Sequence, residues 1–192
     1  MRNTACPLFF FILAVAFGGC ETPEGERSPG AGAQDVAFAE LVDLVGERLE
    51  VMYPAAQYKW NNGLQVEGAG RDEAALARAV EEGEGRGLPP FVTESFFLVQ
   101  MEAGRLLQQV YFEDWEDDAA GSFDLAADYE SELLPDLDRI ELEMIEALAQ
   151  VHAAPPSEDR ARERIEAVRE RLLNSDRFPE EIVEIAMSPF AL

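Results

Sequence analysis

The stretch FVTESFFLVQMEAGRLLQQVYFEDW, residues 91–115, decides the fold class. Its apolar positions Val92, Phe96, Val99, Ala103, Leu106 and Val110 recur in alternating steps of four and three. That is the period of a helix with one buried stripe, not the period of a strand. One residue over, Phe97, Met101, Gly104, Gln108, Tyr111 and Trp115 repeat the same spacing. The first stripe is expected to face the core. The second carries one polar side chain, Gln108, and one position without a side chain, Gly104, a turn before it.

The flanking chain reads the same way. From Phe38 to Asn62, Leu41, Val45, Met52 and Ala55 share a helical stripe, and Pro54 predicts a kink or a split into two helices. A second helix is expected from Arg71 to Glu82, before a break at residues 83–90. The glycines of that break are not a phosphate loop, because no Gly-Lys-Ser/Thr follows and no strand precedes them. A fourth helix at 129–152 is expected to bury Leu134, Leu137, Met144, Leu148 and Val151. A fifth starts after Pro155-Pro156 with Ser157 as N-cap and carries Ala161, Ile165, Val168 and Leu172. A short sixth begins at Pro179 and carries Ile182, Val183 and Ala186. No segment of useful length alternates like a strand. The expected fold is all-α, a single helical bundle of about six helices.

The N-terminus has a different character. Arg2 is followed by an apolar run from Pro7 to Phe17 and by Gly18-Gly19-Cys20, the pattern of a signal peptide over residues 1–19. The run is short for a permanent span, which needs roughly twenty apolar residues. Gly18-Gly19-Cys20 resembles a bacterial lipobox, which implies cleavage before Cys20 and a lipid on that cysteine. Residues 20–34 lack apolar periodicity and are rich in Gly, Pro and charge, so they read as a lipidated cysteine and flexible tether. Residues 35–192 are enough for one domain with a real core. The only other cysteine, Cys6, falls in the removed segment, so no disulfide is expected within a mature chain.

Charge narrows the function classes. The full chain carries a net charge of −24, and losing Arg2 with the signal leaves 14 basic against 39 acidic side chains, a net of −25. Such a field argues against nucleic acid and anionic lipid as partners, leaving the lipid anchor as the expected membrane contact. Most of the acid reads as solvated helix surface. His152 is the only histidine, and one mature cysteine committed to lipid supports neither a zinc site nor a cysteine nucleophile.

Three cations stand on inward-looking positions. Arg48 lies between Val45 and Met52, and Lys59 lies four residues beyond Ala55. Their separation of eleven residues is about 1100° of helix, three turns plus about 20°, so both point the same way if the helix survives Pro54. Arg71 opens the second helix. Burying an unpaired charge costs several kcal/mol, and a bound anion would supply the missing partner. Salt bridges to some of the acids, or snorkelling to the surface, are the alternative. Lys59 is also the chain's only lysine, against 14 arginines, and a compact ammonium is not interchangeable with a guanidinium.

At these residues the chain resembles a known family. Glu47-Arg48-Leu49-Glu50-Val51, Tyr58-Lys59-Trp60, Gly70-Arg71-Asp72-Glu73, Phe91-Val92-Thr93, Phe96-Phe97, Gln100-Met101-Glu102-Ala103, Gln108 and Asp114-Trp115 are similar to the exported, all-helical chorismate mutases, the gamma subclass of the AroQ type. The resemblance covers about residues 38–150. It implies that Arg48 and Arg71 bind the carboxylates of chorismate; the family's supporting acid is Gly68 here, a role Asp72 or Glu73 is expected to cover. It implies that Lys59 and Gln108 hydrogen-bond the ether oxygen. It also implies a cofactor-free rearrangement to prephenate, and it favours a homodimer.

The departures are specific. Leu134 stands where the family has a further arginine, Gly68 where it has an acid, and Gly104 where it has a small, often hydroxyl-bearing residue. Arg105, three residues before Gln108, is expected to reach across the space vacated at Gly104; Arg139 is poorly placed to substitute. Together these imply a mutase of reduced activity. The alternative is a dicarboxylate-binding lipoprotein with little or no catalysis on the same fold.

Overall fold

The computed structural model describes residues 31–66, 69–124, 126–175 and 177–190, with the side chains of residues 31 and 69–71 outside the description. The expected signal peptide, Cys20 and Gly68 lie outside the described residues. Helices α1 (Ala31–Asn61), α2 (Ala69–Gly85) and α3 (Pro90–Asp117) are followed by a π-helical turn, Tyr129–Leu133, that runs directly into α4 (Leu134–Ala153). Helices α5 (Glu158–Leu173) and α6 (Glu180–Met187) follow, and a 3-10 turn, Ser188–Phe190, closes the description. There is no strand among the described residues. The fold is an all-α bundle of six helices.

Helix α1 is the hub, packing on α3, α4 and α5. Leu41, Val42, Val45, Leu49, Met52 and Ala56 are all buried, so it is covered on more than one side. It runs unbroken through Pro54. An interior proline costs a helix about 3 kcal/mol. Here Met52, Ala55 and Ala56 are buried on either side of it, and their packing holds the helix together. Continuity keeps Arg48 and Lys59 on one side, as their spacing requires. The helix also starts at Ala31 rather than Phe38, so residues 31–34 are helical instead of tether. Once a helix is nucleated each added residue gains a bond, and Ala31-Gly32-Ala33-Gln34 holds nothing that stops it.

Helix α3 buries a different face from the expected one. Phe96 and Ala103 of the first stripe are buried, but Val92, Val99, Leu106 and Val110 are half-exposed on its flank. The interior instead receives Phe97, Gly104, Gln108, Tyr111 and Trp115 of the second stripe, with Thr93, Gln100 and Leu107. The reason is that α3 contacts α1, α2 and α6 together, so its covered arc is wider than one stripe and is centred between the two. Gln100 is satisfied by donating from Nε2 to the Ala186 carbonyl at 2.8 Å. Against α2 the approach is close: a Cβ on Gly83 would lie 2.3 Å from Thr93 Oγ1.

Helix α4 is corrected similarly. Met144 and Leu148 are buried as expected, but Ile140, Ile145 and Ala147 complete the interior, while Leu134, Leu137 and Val151 are only half-buried. The first turn of α4 projects past the core. Ser157 is the N-cap of α5 by position, though its side chain makes no capping bond, and Pro179 is the N-cap of α6 rather than its first residue.

At the C-terminal ends of α1 and α3 an aromatic cluster closes the bundle. Trp115 lies 4.6 Å from Phe123, 5.6 Å from Trp60 and 5.9 Å from Tyr53, centroid to centroid. The loop after α3 is tied to the end of α1: Trp60 Nε1 donates to the Gly121 carbonyl at 3.2 Å, and Asn61 exchanges two 2.8 Å bonds with the backbone of Phe123. This anchoring falls directly beside Lys59. Tyr111, packed in the same cluster, has its hydroxyl pushed up to about 12 by burial and donates to the Arg177 carbonyl at 3.2 Å.

Candidate active site

A cavity of about 120 Å³ opens between α1, α3 and the start of α4. Arg48, Met52, Ala55 and Lys59 line it from α1; Met101, Gly104, Arg105 and Gln108 from α3; Asp72, Val66, Tyr129 and Leu137 complete it. The unbroken α1 thus delivers both cations to the same wall. Of the sequence-predicted site residues, Arg48, Lys59, Asp72, Gly104, Arg105 and Gln108 are brought together here. The backbone of Arg71 lies in the first turn of α2, and its side chain lies outside the described residues.

Arg48 donates from Nη1 to the Gln100 backbone carbonyl at 2.6 Å. Burial pulls its guanidinium below the usual arginine range, and the charges of Glu141 and Asp72 pull partly back. Among the described residues no ion pair closes on it, whereas Arg139 is held by Glu47 and Glu143, and Arg169 by Glu166 and Glu184. A desolvated cation without a contacting carboxylate is a standing demand for an anion. Behind it, burial raises the Glu141 carboxyl, opposed by Arg78 and Arg48.

Lys59 donates from Nζ to the Val66 carbonyl at 2.9 Å. The chain folds back over it through a turn in which the Leu64 N–H donates to the Lys59 carbonyl at 2.9 Å and Gly63 takes φ +62°. Gln108 is only 6% exposed. Its Nε2 donates to Met52 Sδ at 3.1 Å, and its Oε1 is buried without a hydrogen-bond partner. A buried acceptor left open costs about 1–3 kcal/mol and calls for a donor, while the second Nε2 proton remains for an acceptor.

Gly104 does not leave a vacancy. A Cβ there would stand 2.8 Å from Met52 Sδ and 3.1 Å from Arg48 Nη1, so those two side chains already occupy the space. Arg105 accordingly does not reach across it. Its Nε and Nη2 donate to the two carboxylate oxygens of Glu102 at 2.9 and 2.6 Å. Arg139 is exposed and engaged elsewhere, as its position predicts. Leu134 is not among the residues lining the cavity; Leu137, one turn on, is the α4 side chain that faces it. Sequence reasoning missed Leu137, Tyr129 and Glu141, and it read Met52 as core alone. Nothing in their spacing separates them from ordinary helix residues.

A larger groove of about 450 Å³ lies between α5 and α6, lined by Arg162 and by Arg169, the latter paired with Glu166 and Glu184. Among the described residues, no ion pair closes on Arg48 in the smaller cavity. Its chemistry is that of a clamp for a small anion, with a neutral amide and an ammonium facing the enclosed volume.

The all-helical bundle has the fold of the AroQ-type chorismate mutases of known structure. Residues 39–109 match the family model of chorismate mutase type II. The chain is 37% identical over 79 residues to the secreted chorismate mutase of Mycobacterium tuberculosis, covering 41% of this chain and 40% of that protein. It is 30% identical over 80 residues to the monofunctional chorismate mutase of Enterobacter agglomerans, covering 42% of this chain and 44% of that one. The matched stretches thus span less than half the length of these two relatives. Its fold is similar along nearly the whole of the chorismate mutase from Burkholderia thailandensis, with a TM-score of 0.69, 26% identity, 81% of this chain and 99% of that chain covered.

Proposed function

We propose that the protein is an exported chorismate mutase of the gamma subclass, converting chorismate to prephenate without a cofactor. The observation that carries this is the convergence of Arg48, Lys59 and Gln108, from two helices, on one small cavity. Chorismate is a dicarboxylate whose ether bond breaks as a new carbon–carbon bond forms within the same molecule. No group is transferred to the protein, so what is needed is a clamp and a stabiliser of charge.

Arg48, with Arg71 on the opening turn of α2, holds the carboxylates, and Asp72 supports substrate binding from the same turn. Fixing the side arm over the ring in a near-attack geometry removes much of the entropic barrier. Lys59 and Gln108 donate to the ether oxygen as negative charge develops on it, and preorganised donors in a dry cavity act strongly at that stage. Binding exchanges the bond between Lys59 and the Val66 carbonyl for one to substrate.

The direct test is prephenate formation from chorismate by the chain lacking residues 1–19, with no added metal or cofactor; absence of turnover overturns the reading. A Gln108→Glu variant sharpens it. The amide donates at any pH, whereas a carboxyl at this buried position donates only when protonated. The variant should therefore keep its rate in acid and lose it as pH rises through the carboxyl pKa, a limb the wild type lacks. Coincident pH profiles would remove Gln108 from the ether oxygen.

The same reading places the activity outside the cytoplasm. Residues 1–19 act as the signal, Cys20 carries the lipid and the following residues tether the helical domain; the export alone is supported by the secreted character named for the mycobacterial relative. Cys20→Ser should move the protein from the membrane fraction to the soluble fraction, measured by partitioning in detergent; unchanged partitioning would refute the anchor. A homodimer is part of this proposal through the gamma-subclass resemblance.

A further inference from the structure

We infer that Met52 is a positioning residue for Gln108, its sulfur lying in the space left beside Gly104. Three observations on different residues converge. Met52 Sδ is 3.1 Å from Gln108 Nε2, in a cavity that both side chains line. Met52 is 4% exposed and Gln108 6%, so water does not compete for the contact. A Cβ on Gly104 would lie 2.8 Å from that same sulfur and 3.5 Å from Met52 Cγ.

The physical consequence concerns which end of the amide faces which way. The two ends of a glutamine amide are similar in shape, so packing alone does not choose between them. A thioether sulfur accepts and has no proton to give. Placed against the amide it favours the NH₂ end and disfavours the carbonyl. One Nε2 proton is thereby committed to sulfur and the other is held in a fixed plane for an acceptor in the cavity. Without the sulfur the buried amide can rotate by half a turn and present oxygen, which repels a developing oxyanion. Met52 and Gly104 therefore form a matched pair: the volume absent from residue 104 on α3 is supplied by residue 52 on α1.

The kinetic part of the test rests on the chorismate mutase reading; the spectroscopic part does not. In the chain lacking residues 1–19, Met52→Leu keeps the volume and removes the acceptor. It should lower kcat about fivefold, the equivalent of one weak hydrogen bond, while KM moves less than about twofold. In a Gln108→Ala background the same change should leave kcat within about 1.5-fold, since there is no amide left to orient. Loss by the same factor in both backgrounds would overturn the inference, because it would mean that Met52 acts through packing alone. Independently of turnover, the two Nε2 protons of Gln108 are read by NMR without substrate. Met52→Leu should shift one of that pair more than any other glutamine side-chain amide; an unmoved pair overturns the inference. If the wild type forms no prephenate, the mutase reading fails and the amide signals alone decide the role of Met52.

Discussion

Replacing Lys59 by alanine should lower kcat for prephenate formation by roughly 10²–10³-fold, with a smaller change in KM. Lys59 lines the cavity with Arg48, which donates to the Gln100 carbonyl at 2.6 Å, and Arg105, which is paired with Glu102. On the proposed reading the ammonium meets an oxygen that becomes anionic only as the ether bond breaks. An interaction that strengthens in the transition state appears in kcat rather than in KM. Lys59→Arg should not restore the rate. A planar fork of donors on a different stem cannot be laid where a compact ammonium sits beside the Val66 carbonyl at 2.9 Å. The variant's circular dichroism should match the wild type, since α1 does not depend on this side chain for its packing. A rate within about threefold of wild type would be too small for a lost charge stabiliser and would remove Lys59 from the reaction.

Trp115→Ala should be the most damaging of the stability changes, lowering the unfolding free energy by about 3–5 kcal/mol. Trp115 is 9% exposed and touches Tyr53, Trp60, Tyr111, Phe112 and Phe123. Its loss opens a cavity bounded by rings from α1, α3 and the loop after α3, and rigid rings relax poorly into such a space. For a domain of this size each kcal/mol moves the melting temperature by about 2–4 °C, so a fall of roughly 6–20 °C is expected by calorimetry. The effect should extend to the active site. Trp60 is next in sequence to Lys59, and it is held by the Gly121 carbonyl and by ring contacts with Phe112 and Trp115. Trp115→Phe, which refills part of the space, should recover much of the stability. A melting temperature within about 2 °C of wild type in Trp115→Ala would show that the cluster repacks freely.

Much of this protein was legible in its sequence. Apolar residues at steps of three and four are a local property of the chain, so the helical class and the approximate place of six helices follow without knowledge of any neighbour. The same arithmetic put Arg48 and Lys59, eleven residues apart, on one side of α1, and the structure brings both to one cavity with Gln108. A charge at a position with helical core spacing is anomalous by itself, because burial without a partner is costly whatever the fold.

Other features had no local signal. Helix α3 offers two adjacent stripes of the same period, and which is buried depends on three partners, α1, α2 and α6, that arrive from distant parts of the chain. Pro54 predicts a break from its own covalent structure, yet α1 continues through it because packing on both sides outweighs about 3 kcal/mol. The absent side chain at Gly104 reads as empty space until Met52 and Arg48, more than fifty residues earlier, are seen to fill it. Leu137 rather than Leu134 lines the cavity, and α4 continues directly from the π turn at Tyr129–Leu133. Periodicity reports the angle of each residue about its own helix and so fixes secondary structure and the relative direction of two side chains on one element. Volume and contact are shared between elements, and only their assembly decides which face is interior, which gap is filled and which side chain meets the ligand.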